Sequence, residues 1–231
     1  MLLTHLLSLV VAFGVLSSED KAVIAWKPTE GHKTAVRIVL AGRVSDTDLE
    51  TRLRADSTVV KVGEDGSVTL RTIYTTEALF MNGQPADRAM IGEPSEYTFR
   101  LKPNGEVVSI EAKRYRGDPW FLETDVFVYP NREVAKGETW TLERKGDPNK
   151  GVRDSITKFT FLGSEEVEGE LAHRVQVEYR EVEGEKPLKY TGTRWISASN
   201  GDLIKLEARL ENVPGGPSPV SVTVRAQRIR E

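Results

Sequence analysis

Chemistry, if the chain performs any, must start from His32 and His173, because the third histidine, His5, lies in an apolar leader expected to be removed. A Ser-His-Asp triad or a histidine metal site would need one or both of them. His32 follows Gly31 at the start of an expected strand, and His173 opens the alternating stretch 174–180. Neither belongs to a G-x-S-x-G elbow or an H-E-x-x-H pair, so both read as partly exposed strand-end histidines. The chain has no cysteine, which removes thiolate nucleophiles, disulfides, iron–sulfur clusters, cysteine zinc sites and a lipid-anchor cysteine together.

Acidic residues offer a second route to chemistry. Glu165, Glu166, Glu168 and Glu170 surround Gly169, and glycosidase work would need two such acids held about 5–9 Å apart across a cleft. A run of this kind in a hairpin loop reads instead as solvated surface. The stretch Asp147-Pro148-Asn149-Lys150-Gly151-Val152-Arg153-Asp154 carries spaced oxygen ligands in the style of a calcium loop. Its glycine falls at the wrong position, no glutamate stands at the twelfth place, and Lys150 and Arg153 add opposing charge, so a polar turn is expected. Pro214-Gly215-Gly216-Pro217 lacks the Lys-Ser/Thr and the following helix of a phosphate loop and reads as a hairpin tip. The expectation is a protein without catalytic residues, metal or cofactor.

What remains is an aromatic cluster, Trp120, Phe121, Phe127 and Tyr129. Such side chains line apolar ligand pockets, and they also fill ordinary cores. These four are the candidate ligand-binding residues. Asp118 as N-cap with Pro119 at the first helical position predicts a short helix here, ended before Pro130.

The elements that would position this cluster are strands. Val175, Val177 and Tyr179 alternate with charged and polar neighbours, as do Ile204, Leu206, Ala208 and Leu210, and again Val220, Val222, Val224 and Ala226. Period-two alternation marks antiparallel strands with one face in the core and one in water. Asp65-Gly66, Asn104-Gly105 and Asn200-Gly201 supply the positive φ of tight hairpin turns. No stretch sustains a helical period, which disfavours a parallel βαβ plan.

Two stretches resemble each other: residues 104–113 match residues 200–209 chemically at nearly every step, and Lys136-Gly137-Glu138-Thr139-Trp140 opens the second half as Glu30-Gly31-His32-Lys33-Thr34 opens the first. The expected architecture is mainly β: a single large curved antiparallel sheet, half-barrel or clam-like, made of two similar halves joined by a short helical connector. The boundaries are a signal peptide over 1–17 and a single all-β domain over 18–231, with half A at 24–116, the connector at 117–136 and half B at 137–231.

The leader rests on residues 2–16, which are nearly all apolar and shorter than the roughly 20 residues a spanning helix needs. Val15 and Ser17 are small enough for the −3 and −1 positions of a cleavage site. The mature protein is expected outside the cytoplasm, periplasmic or secreted, with no stable membrane anchor. Its 32 basic and 35 acidic residues include no basic block, which excludes nucleic acid as a partner.

The opening Trp26-Lys27-Pro28-Thr29-Glu30-Gly31, the Asp65-Gly66 hairpin, and Tyr129-Pro130 followed by Val134, Gly137, Glu138 and Trp140 resemble a bacterial envelope protein family of unknown function. That family is similar in outline to the lipoprotein carriers of the LolA type, whose half-open curved sheet encloses an apolar cavity covered by helices. The resemblance implies a carrier-like or sensor-like shape and transfers no catalytic residue. The functional expectation is an exported, non-catalytic binder of a lipid, an acyl chain or a lipidated partner on the concave face. The alternative is an envelope protein–protein interaction module with a packed interior, pairing through exposed strand edges. An unrecognised hydrolase ranks below both.

Overall fold

Alternating residues become strands because a pleated chain sends successive side chains to opposite faces. In the computed structural model, which describes residues 21–114, 127–147, 152–214 and 218–230, that pattern builds fourteen strands among the described residues. β1 (Lys21–Ile24) leads into half A, which contributes β2 (Lys33–Val44), β3 (Thr47–Val62), β4 (Val68–Met81), β5 (Gln84–Pro85), β6 (Ser95–Leu101) and β7 (Val107–Arg114). The rest are β8 (Arg132–Ala135), β9 (Thr139–Arg144), β10 (Ser155–Val167), β11 (Glu170–Glu181), β12 (Lys189–Ser197), β13 (Leu203–Val213) and β14 (Val220–Arg228).

Twelve of these strands form one antiparallel sheet in the order β7-β6-β4-β3-β2-β14-β13-β12-β11-β10-β9, with β5 added beside β4. The sheet does not close into a barrel. Each half is a run of hairpins, and the two runs meet where β14 pairs β2, with Val224 opposite Leu40. The three predicted turns form as expected, with Gly66, Gly105 and Gly201 all at positive φ.

Curvature follows from what touches what. Val107 on β7 and Tyr190 on β12 line the same cavity. Seven strand places apart, they would be about 33 Å apart in a flat sheet, at about 4.8 Å per strand. Extra residues at Val60 on β3, Glu77 on β4, Leu162 on β10 and Ile204 on β13 make bulges that bend and twist the sheet, which is how a ladder this wide turns its faces inward.

The connector differs from expectation in its described part. Residues 115–126, with Trp120, Phe121 and most of the predicted helix, lie outside the described residues, as do residues 1–20 with the proposed leader. Residues 127–131 are not helical, and β8 is a strand that pairs antiparallel with β1, Val134 opposite Ala22. Burial explains this: Val134 and Ile24 are both 1% exposed within the main core, and an extended β8 satisfies its main chain against β1 while reaching it. The helical element that is described is a single 3-10 turn at Arg88–Met90. No helix among the described residues is long and apolar enough to cross a membrane.

Candidate functional site

The inner face of half A carries hydroxyls where alternation calls for apolar side chains. Register places Thr34 on β2 opposite Ser57 on β3, and Ser57 opposite Thr72 on β4, in one row straight across three strands. Ser57 and Thr72 share a hydrogen bond of 2.9 Å, and Thr72 is 3% exposed. Apolar rows flank them. Val36 and Ala55 pair on one side, and Val59, Leu70 and Phe99 follow one another on the other.

All of these residues except Val59 line a cavity of about 260 Å³. Its far wall comes from half B: Tyr190, Leu203, Leu206, Leu210, Val224 and Ala226, with Phe127 over it. None of the described lining residues is Asp, Glu, Lys, Arg or His. A pocket that is mostly apolar with a few placed hydrogen-bonding groups is the ordinary form of a small-molecule site.

Phe127 and Tyr129, two of the four aromatic candidates, have different places. Phe127 lines the cavity and packs edge-on against Phe159 at 5.3 Å. The buried guanidinium of Arg194 lies over the same ring, 5.6 Å from its centroid, and does not line the cavity. Tyr129 stands outside the lining; its ring stacks on Trp26 at 6.1 Å and its hydroxyl donates to the Gly201 carbonyl at 2.7 Å. Burial pushes the Tyr129 phenol up, Asp202 adds to the shift, and Arg194 opposes it.

Two extended straps hold this arrangement. Residues 127–130 cross the β6–β7 turn, where the Tyr129 N–H donates to the Asn104 carbonyl at 2.8 Å. Residues 25–28 cross the β12–β13 turn, where the Lys27 N–H donates to the Asn200 carbonyl at 2.9 Å. A side chain on Gly105 would begin 2.8 Å from the Phe127 carbonyl, and one on Gly201 would begin 2.5 Å from that of Ala25. The strand openings match as well. Gly31 donates to Val59, which donates back to His32, and Gly137 donates to Phe161, which donates back to Glu138.

A second, polar cleft adjoins the cavity. β14 ends at Arg228 opposite Val36, so the first residues of β2 lack a neighbour strand there beyond the Ile229 N–H to Ala35 bond. Thr34 and Ser57 line both spaces. Across the gap His32 meets Asp202 of the β12–β13 turn at 2.7 Å, and the Asn200 amide donates to the same carboxylate oxygen. His32 is thus tied to an acid, while the nearby Ser57 hydroxyl bonds Thr72 rather than His32.

His173 departs from the expected strand-end exposure: it is buried at 7%, bonded to Ser164 at 2.8 Å. Burial lowers its pKa, a hydrogen bond to the Val23 main chain opposes that shift, and the Lys27 charge adds to it. The ring therefore fastens β1 to the sheet. The acidic run is engaged too: Glu165 accepts from Trp195 at 2.5 Å and pairs Arg174, and Glu170 pairs Arg228 at 2.5 Å. At the calcium-like stretch, residues 148–151 lie outside the described residues; Asp154 accepts from Lys145 and from the Gly146 N–H. No group of three or more His, Cys, Asp or Glu placed to hold a metal occurs among the described residues.

Thr34, Ser57, Thr72 and Asp202 escaped the sequence reading. For Thr72 a signal existed, since it stands between Leu70 and Tyr74 at the inward-facing period of two. Asp202 had none, lying 170 residues from its histidine.

No family model matches the chain, and no curated protein matches it. Among solved structures it is similar to a protein of Bacteroides fragilis assigned as exported, with a YmcC-like fold: 14% identity, TM-score 0.40, covering 90% of this chain and 100% of that one. It is also similar to a DUF1329 family protein from Desulfovibrio piger: 8% identity, TM-score 0.29, covering 85% of this chain and 84% of that one. Likenesses of this order leave function to the chain's own residues.

Proposed function

We propose that this is an exported, non-catalytic protein that binds an apolar guest on the concave face of its sheet, in the manner of a carrier or sensor. The observation that supports it is the apolar cavity of about 260 Å³ between the halves, close in size to the lower end of known ligand pockets. The matched bonds at Gly31 and Gly137, and at Asn104 and Asn200, support reading the two halves as repeats that enclose it. The polar chemistry nearby is engaged in holding the fold, with His32 on Asp202 and His173 on Ser164, which favours binding over catalysis.

The test is saturable uptake of N-phenyl-1-naphthylamine, a neutral dye that brightens in apolar surroundings, together with mass spectrometry of organic extracts of the purified mature protein. Ala55→Leu places added methyl groups on the cavity wall and should abolish uptake while the protein stays folded by circular dichroism. Dye binding that is absent in the native protein, or that survives in a folded Ala55→Leu variant, would hand the case to an interaction module with a packed interior.

A further inference from the structure

The composition of the cavity wall restricts what its guest can be. We infer that the guest is a single-chain amphiphile with an uncharged head, a hydroxyl or an ester, seated against the hydroxyls of Thr34, Ser57 and Thr72; this rests on the binding reading above and narrows it.

Volume sets the chain. At about 260 Å³ the cavity lies near the lower end of known ligand pockets. That size suits one hydrocarbon chain of medium length better than the two chains of a diacyl lipid.

Charge sets the head. An ion buried without a counter-charge loses its solvation with nothing to offset it, a heavier penalty than that of a neutral polar group left unpaired. The described wall of the cavity offers no carboxylate, ammonium, guanidinium or imidazole to meet such an ion. It does offer donors and acceptors. The hydroxyls form one cross-strand row with apolar rows on either side, and two of them, Thr34 and Ser57, also border the polar cleft. A head bonded there leaves its tail among Val36, Leu70 and Leu206. Three charged side chains of the cleft have partners within it or beside it, Asp202 with His32 at 2.7 Å, Asp56 with Arg54 at 2.8 Å and Arg228 with Glu170 at 2.5 Å. Lys33 also borders the cleft, so a carboxylate is the informative competitor.

The experiment displaces bound N-phenyl-1-naphthylamine with three ligands of one chain length, decanol, methyl decanoate and decanoate, at a pH of about 8, where the acid is ionised. Decanol and the ester should displace the dye at concentrations about tenfold or more below decanoate, the factor expected when one head must be buried as an unpaired ion. The double variant Ser57→Ala, Thr72→Val, with each displacement read against that variant's own dye affinity, should lose most of the native protein's preference for decanol over decane. Displacement by decanoate at equal or lower concentration would overturn the neutral head while leaving the binding reading intact. An unchanged decanol preference in the double variant would overturn the role of the hydroxyl row. Failure of the native protein to bind the dye at all would remove the proposed function itself.

Discussion

Half B is filled and half A is not, although both follow the same alternating pattern. On half B the inner face carries Phe159 and Phe161, each at 0% exposure, with Val175, Val177, Leu206 and Leu210 beside them. Trp140 stacks on Phe159 at 5.4 Å and Phe127 meets it edge-on, so strap and sheet interlock. On half A the corresponding inward places hold Thr34, Ser57, Thr72 and Ala55, and the smaller cluster of Val59, Val68, Tyr97, Phe99 and Leu101 sits to one side. Alternation tells which face points inward; side-chain volume tells whether that face is packed.

The largest expected effect tests this contrast. Phe159→Ala should cost about 3–5 kcal/mol, because a fully enclosed ring leaves a void that its neighbours cannot close. Leu70→Ala, on the cavity wall, should cost only about 1–2 kcal/mol, since the side chain is half-buried and already borders empty space. Urea unfolding measures both. Equal losses would mean that half A is as tightly packed as half B.

The straps come next. Gly105 and Gly201 hold φ of 83° and 85° and lie under the Phe127 and Ala25 carbonyls. Alanine at either position should cost more than about 1 kcal/mol from backbone conformation alone, with the close carbonyl adding to it. Similar losses for the two variants would sharpen the idea that each half is clasped in the same way. A Gly105→Ala variant that is stable while Gly201→Ala unfolds would place the clasp on half B only.

Most of the strand order was legible because the relevant stretches are long and regular. Residues 174–180 and 204–210 alternate without interruption, and Asn-Gly or Asp-Gly dipeptides mark three hairpins. Four-residue strands were not legible. Arg132–Ala135 is too short for a period to declare itself, and its partner Lys21–Ile24 lies 111 positions earlier by the Lys21 and Arg132 numbers. The hydroxyl row was hidden for another reason. Each of Thr34, Ser57 and Thr72 is unremarkable on its own strand, and they become a site only through cross-strand register. His32 and Asp202 likewise meet through curvature of the sheet, which no local pattern encodes.

Hydrogen bonding on the open half gives a smaller effect. Thr72→Val should cost about 1–2 kcal/mol by leaving Ser57 without its 2.9 Å partner, while adding Ser57→Ala should recover part of that loss, because two apolar groups no longer leave a polar atom unmatched. A double-mutant cycle by urea unfolding reads the coupling. Additive losses would mean that water, reaching the hydroxyls through the cleft, replaces the bond freely.

The smallest expected effect concerns His173 and the filled half. Burial holds its folded pKa below the ordinary value, so the unfolded chain takes up a proton first as the pH falls. Between the unfolded pKa of about 6.5 and the lower folded one, the unfolded state carries more protons, and stability declines as the pH drops through that window. Above it the contribution is flat. His173→Gln, which keeps a group able to bond Ser164, should flatten the decline between neutral and mildly acid pH in urea midpoints. The protonated ring could still donate to the Ser164 hydroxyl, so what it must give up is its dry position beside Phe161, 5.9 Å away, and the contact with β1 would loosen with it. A native slope that His173→Gln leaves untouched would show that the ring is solvated and that β1 is held by its pairing with β8 alone.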